Sequence, residues 1–149
     1  MRHGSVMARA ATLAALFSAG ILAVSCGRPA ETSAGDGRTA VPLDAEQRLA
    51  VLAEMRTLLG SVDGVLRAVV QGDTAAVRAA ALASGTAMAA DPALETILPP
   101  QWLAIATRTH QGFDSLAASV GRGTGDSVVA RLARITPECV SCHATYRLP

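Results

Sequence analysis

DSVVARLARITPECVSCHATYR, residues 126–147, sets Val128, Leu132, Ile135, Cys139, Cys142 and Tyr146 at successive spacings of four, three, four, three and four. That rhythm matches the 3.6-residue turn of a helix and cannot come from a strand's two-residue period. Two cysteines and the histidine behind them therefore sit on a helix whose apolar face turns toward a core. Pro137 falls about ten residues into this helix, where it is expected to kink it or divide it at Thr136.

Three further helices are expected upstream. The first opens near Pro42 and Asp44 and runs to about Gln71, with Leu49, Leu52, Met55, Leu59, Val62, Leu66 and Val69 as its inward stripe. Gly72 is a natural stop, and Asp73 can cap the next helix with its carboxylate. The second, about Thr74 to Ala90, is alanine-rich, with Val77, Leu82 and Met88 as its larger anchors. Asp91-Pro92 ends it, and a connector closes at Pro99-Pro100. The third runs from about Gln101 to Val120 on Trp102, Ile105, Thr109, Phe113, Leu116 and Val120. Gly121, Gly123 and Gly125 mark the last turn. Four amphipathic helices joined mainly by short turns predict an all-α fold, an antiparallel four-helix bundle.

The chain's beginning argues for export. Arg2 and Arg9 precede an uncharged run, AATLAALFSAGILAV, that is too short for a membrane span of about 20 apolar residues. Residues 1–25 thus read as a signal peptide. AVSC at residues 23–26 resembles the lipobox of bacterial lipoproteins, which implies lipid attachment at Cys26; an ordinary secretory signal is the plainer reading. Residues 26–42, short of large apolar side chains, read as a flexible tether, and residues 43–149 as the folded domain. The location expected is the periplasmic side of a bacterial membrane, lipid-anchored or otherwise soluble. Assigning Cys26 to an anchor leaves Cys139 and Cys142 as a pair.

Thirteen basic residues, every one of them Arg, face 12 acids in the whole chain, and removing Arg2 and Arg9 leaves 11 against 12, formally minus 1. The arginines are scattered singly among acids. No concentrated basic face is visible, so nucleic acid is not an expected partner.

The spacing Cys139, Cys142, His143 admits a metal-thiolate site, a redox dithiol or covalent haem attachment. A structural zinc site needs four ligands and finds three here, with no second CxxC. A redox dithiol normally opens a helix after a strand, where the helix terminus lowers the thiol pKa. In a c-type haem site two thiols add across the porphyrin vinyl groups, and the following histidine binds iron.

CVSCHATYR resembles the C-terminal motif of class II c-type cytochromes, the cytochrome c prime family, in which CxxCH is followed after two residues by an aromatic and Arg. Cys139, Cys142, His143, Tyr146 and Arg147 match that motif, and the likeness extends over roughly residues 43–149, including the VVQGD break and the Trp102 opening. The resemblance implies a four-helix bundle with one covalent haem c near the end of helix four, and His143 as proximal ligand. It also implies Arg147 near the haem edge and Tyr146 packed against the haem and the first helix. The activity implied is single-electron transfer at a membrane surface between an unknown donor and acceptor, without enzymatic turnover. A homodimer stays open.

The sixth iron position separates two branches of that family. A Met on the first helix closes the iron in one; in the other the pocket is open to small gases such as NO or CO. Met55 is the first helix's single methionine and lies on its expected inward stripe, although counting back from Gly72 lands nearer Arg56, with Leu59 a turn further. His110 is expected at the surface or at the haem edge, and Met88 as a core filler. Gly121, Gly123 and Gly125 follow no strand and read as turn residues rather than a nucleotide loop. No acid–base pair with catalytic spacing is visible.

Overall fold

In the computed structural model of the chain, residues 36–89 and 92–149 are described. The signal segment, Cys26 and most of the tether lie outside them. The described part is mostly helical: α1 (Ala45–Gln71), α2 (Thr74–Leu82), a 3-10 turn (Thr86–Met88), α3 (Pro92–Glu95), α4 (Pro100–Ser119) and α5 (Gly125–Thr145). Two short strands, β1 (Thr39–Ala40) and β2 (Tyr146–Arg147), pair in parallel, with Thr39 opposite Tyr146 and Ala40 opposite Arg147. Helix contacts run from α1 to α2, α2 to α4, α4 to α5 and α5 back to α1. Among the described residues no helix is long and apolar enough to cross a membrane.

The start of α1 is fixed by a capping box: the Asp44 carboxylate accepts the Gln47 N–H at 2.8 Å, and the Gln47 side chain accepts the Asp44 N–H at 3.0 Å. Its end is Gly72 in the left-handed conformation, φ 70°, which a residue without Cβ adopts freely. Asp73 then caps α2 by accepting the Ala76 N–H at 2.9 Å.

Helix two stops at Leu82, about two turns before the expected end. Polar side chains of α4 capture the backbone there. The Ser84 carbonyl accepts from His110, and the Asp114 carboxylate takes both the N–H and the hydroxyl of Thr86. Alanine propensity loses to these longer-range bonds. Met88 consequently stands out in solvent, 59 % exposed, and is not the core filler expected.

The inward face of α1 is also rotated from the one expected. Its buried residues are Val51, Ser61, Val65 and Ala68, whereas Leu49, Leu59 and Leu66 are exposed. Small residues face α2 because Ala80 packs close enough that a Cβ on Gly64 would stand 3.0 Å from its own. The α4 stripe is as expected: Trp102, Ile105, Thr109, Phe113, Leu116 and Val120 are all buried.

α5 continues through Pro137 undivided. Pro137 and Ala133, whose carbonyl lacks its usual N–H partner, are both exposed, so solvent is available to that oxygen. The helix ends at Thr145, so Tyr146 is in β2 rather than on the helix. Val41 donates its N–H to the Arg147 carbonyl at 3.0 Å and is only 1 % exposed. The packed unit thus takes in residues ahead of Leu43.

Buried side chains form two clusters rather than one. The first joins Val65, Val77, Phe113, Leu116, Leu132 and Ile135 with their neighbours; the second joins Val41, Val51, Leu94, Trp102, Cys142 and Tyr146 with theirs. Trp102 and Tyr146 meet at 5.3 Å between ring centroids.

Candidate haem-attachment cavity

A cavity of about 460 Å³ is walled by residues of both clusters, among them Phe113 of the first and Trp102, Ile105 and Cys142 of the second. Its walls come from α1, α4 and α5. Apolar side chains dominate them: Leu52, Met55, Leu58, Leu59 and Val62 from α1, and Trp102, Ile105, Ala106 and Phe113 from α4. Most of the stripe expected to fill the core of α1 instead borders this space. Leu59, 69 % exposed, has little of the protein over it. Several large apolar groups facing one recess mark a surface made to be covered by something else.

The α5 wall carries Thr136, Glu138, Cys139, Cys142 and His143. Spacings of three and one along α5 bring both thiols to this wall, with Cys142 buried, Cys139 half-buried and His143 exposed. The His143 carbonyl accepts from Arg38 at 3.3 Å, so the segment before β1 reaches the helix at this point. Burial pushes both thiols above their ordinary pKa, and the neighbouring Glu138 charge pushes Cys139 the same way. Neutral thiols are poorly suited to disulfide exchange, whose nucleophile is the thiolate. Among the described residues no group of three His, Cys, Asp or Glu is placed to hold a metal ion.

Tyr146 and Arg147 do not line the cavity. Tyr146 is buried against Trp102 behind it, and Arg147 lies beside Asp36, Nε to Oδ1 3.8 Å. The Arg147 Nε is buried without a hydrogen-bond partner. On the α1 side, Met55, Arg56 and Leu59 all border the cavity, Met55 half-buried and Arg56 exposed.

His110 is not a surface residue; of the two places expected for it, it takes the one bordering the cavity, where it is not a free ligand. It is 4 % exposed, and both ring nitrogens are engaged: Nδ1 with the Ser84 carbonyl and Nε2 with Glu54 Oε1, each at 2.9 Å. A carbonyl only accepts, so Nδ1 carries the proton and Nε2 meets the carboxylate. Ser61 and Ser84 hydroxyls bond at 2.7 Å alongside. Glu54 was not singled out by sequence; the available signal was a lone acid beside Met55 in an apolar rhythm.

The Glu54 hydrogen bond, the Ser84 carbonyl and the charges of Glu54 and Asp114 together raise the His110 pKa, against burial, which lowers it. A histidine raised on folding contributes stability in full below its unfolded value, about 6.5, and loses it as pH climbs through the folded value. The denaturant midpoint is therefore expected to fall as pH rises from slightly acid to slightly alkaline. Glu54→Gln should flatten that slope; an unchanged slope would show that another group sets it.

No family model matches the chain, and neither the curated proteins nor the solved structures include a match to it.

Proposed function

We propose that this chain is an exported monohaem c-type cytochrome that carries single electrons at a membrane surface. In this reading the four longer helices, α1, α2, α4 and α5, form an antiparallel four-helix bundle with the haem attached to α5. The observation that carries the reading is that Cys139, Cys142 and His143 all border one large apolar cavity.

The residues present fit such a group. Two free thiols one helical turn apart are available for thioether links, an imidazole follows directly, and the facing walls are mostly hydrocarbon, with Arg56, Glu54, Thr109 and His110 as their polar members. When bound, haem supplies an iron that changes by one electron. Cys139 and Cys142 would hold it, and His143 would ligate the iron. Leu58, Val62 and Phe113 exclude water from the interior of the slot, which favours a small change of solvation when charge changes. Arg147 stands in β2, just past the same end of α5, beside Asp36. Cys26 is proposed to carry the lipid anchor, and the mass of the mature chain tests it: a start at Cys26 with acyl groups is expected, and an unacylated start elsewhere removes the anchor but leaves the haem reading standing.

A second reading, a pentacoordinate protein that binds NO or CO, draws on the α1 wall. There the side chains of Leu52 and Leu59 stand beside Met55 and offer no ligand.

Extraction with acidified acetone tests the proposal. Protein from an export-competent host should keep its colour and give a pyridine haemochrome spectrum of a porphyrin with two thioether links. Colourless protein from such a host would overturn the reading.

A further inference from the structure

Arginines that are scattered in the sequence converge on the seam between α4 and α5. Arg108 projects from α4, and Arg131 and Arg134 from successive turns of α5. The helices run close here, because a Cβ on Gly112 would lie 2.8 Å from Ile135 Cγ1. Gly112, Leu116 and Ile135 thereby line a recess of about 180 Å³ whose other lining residues are the three arginines, Ser115 and one acid, Glu138. Three cations against one anion leave a local excess of two positive charges.

We propose that this recess binds a doubly charged tetrahedral oxyanion of the phosphate class, gripped by Arg131 and Arg134 with Arg108 as a third arm. Much of the donor capacity around it is uncommitted. Among the described residues Arg131 has no side-chain hydrogen bond or ion pair, and Arg134 uses only Nε, on the Ala130 carbonyl at 3.2 Å. Arg108 spends Nε and Nη2 on Glu138, at 2.9 and 2.8 Å, and keeps Nη1. Guanidinium forks match phosphate oxygens in geometry and are less costly to desolvate than ammonium groups. The recess is below the roughly 300–1,000 Å³ of sites for drug-sized ligands, which suits a single oxyanion and leaves no room for a nucleotide.

Glu138 also lines the large cavity, next to Cys139. An anion that draws Arg108 away from Glu138 therefore alters the charge at the α5 wall of that cavity. The binding itself requires no haem. The phosphate chemistry is shared by free inorganic phosphate and by a lipid headgroup ending in a phosphate monoester.

The test is titration of the mature protein with inorganic phosphate at constant ionic strength, at a pH where phosphate is doubly ionised, followed by calorimetry and by the amide resonances of Gly112 and Ser115. Saturable binding on the order of millimolar or tighter is expected, weakened about tenfold or more by Arg131→Gln with Arg134→Gln. Arg48→Gln, remote in sequence on an exposed face of α1, should leave it unchanged. Glu138→Gln should tighten it by removing the competing carboxylate, a gain that damage to the fold would not produce. A soluble short-chain phosphatidic acid that displaces phosphate at equal concentration assigns the site to a headgroup; weaker displacement assigns it to free phosphate. Non-saturable shifts, or equal losses in the Arg48→Gln control, would overturn the proposal.

Discussion

Protein with Cys139→Ala and Cys142→Ala together is expected to be exported and to fold, yet to lose all covalently held haem. Cys142 is buried among Trp102, Ile105 and Tyr146, so its truncation costs about 1 kcal/mol of packing. Cys139 is half-buried and costs less. Circular dichroism should thus report helices near wild-type content while absorbance after acid-acetone extraction falls to background. Each single substitution should leave one thioether, seen as a shifted haemochrome maximum. Full covalent retention in the double variant would place the attachment elsewhere and remove the role given to this motif.

Met55→Ala has the second large effect, and it separates the electron carrier from the gas binder. Met55 is half-buried and borders from α1 the same cavity whose α5 wall carries the cysteines. In the electron-carrier reading its thioether would be the second protein ligand to a bound haem iron. Truncation should then convert the spectrum from low-spin to high-spin and accelerate carbon monoxide uptake by at least about tenfold, at a stability cost of about 2 kcal/mol. Rapid uptake by wild-type protein, with a spectrum that Met55→Ala leaves unchanged, would instead favour the pentacoordinate reading. Arg56→Ala is the paired control, because Arg56 lines the same cavity from a more exposed position.

The parts legible in sequence are those governed by local chemistry. Asp44, Gly72 and Asp73 set helix ends through caps that involve residues within a turn of themselves, and the six-residue stripe of α4 meets the core as its spacing demands. What escaped depends on partners far along the chain. Helix two ends at Leu82 because His110 and Asp114 bind the backbone of Ser84 and Thr86, more than 20 residues away. β1 and β2 pair across the length of the domain, and two-residue strands carry no periodic signal. The α1 stripe misled for a related reason: periodicity marks a face as apolar but does not say whether protein or cavity lies against it. Leu52, Met55, Leu59 and Val62 belong to the cavity, and the smaller Ser61, Val65 and Ala68 belong to the helix interface. Likewise Arg108, Arg131 and Arg134 look isolated in the sequence and meet only because α4 and α5 pack at Gly112.

The central claim is that Cys139 and Cys142 hold haem, and denaturing mass spectrometry of the mature wild-type protein, combined with thiol alkylation, addresses it most directly. The account predicts a single species heavier than the processed polypeptide by one haem, with neither Cys139 nor Cys142 alkylated. A species lacking that added mass, made in a host competent for haem attachment and alkylated at both cysteines, would contradict it.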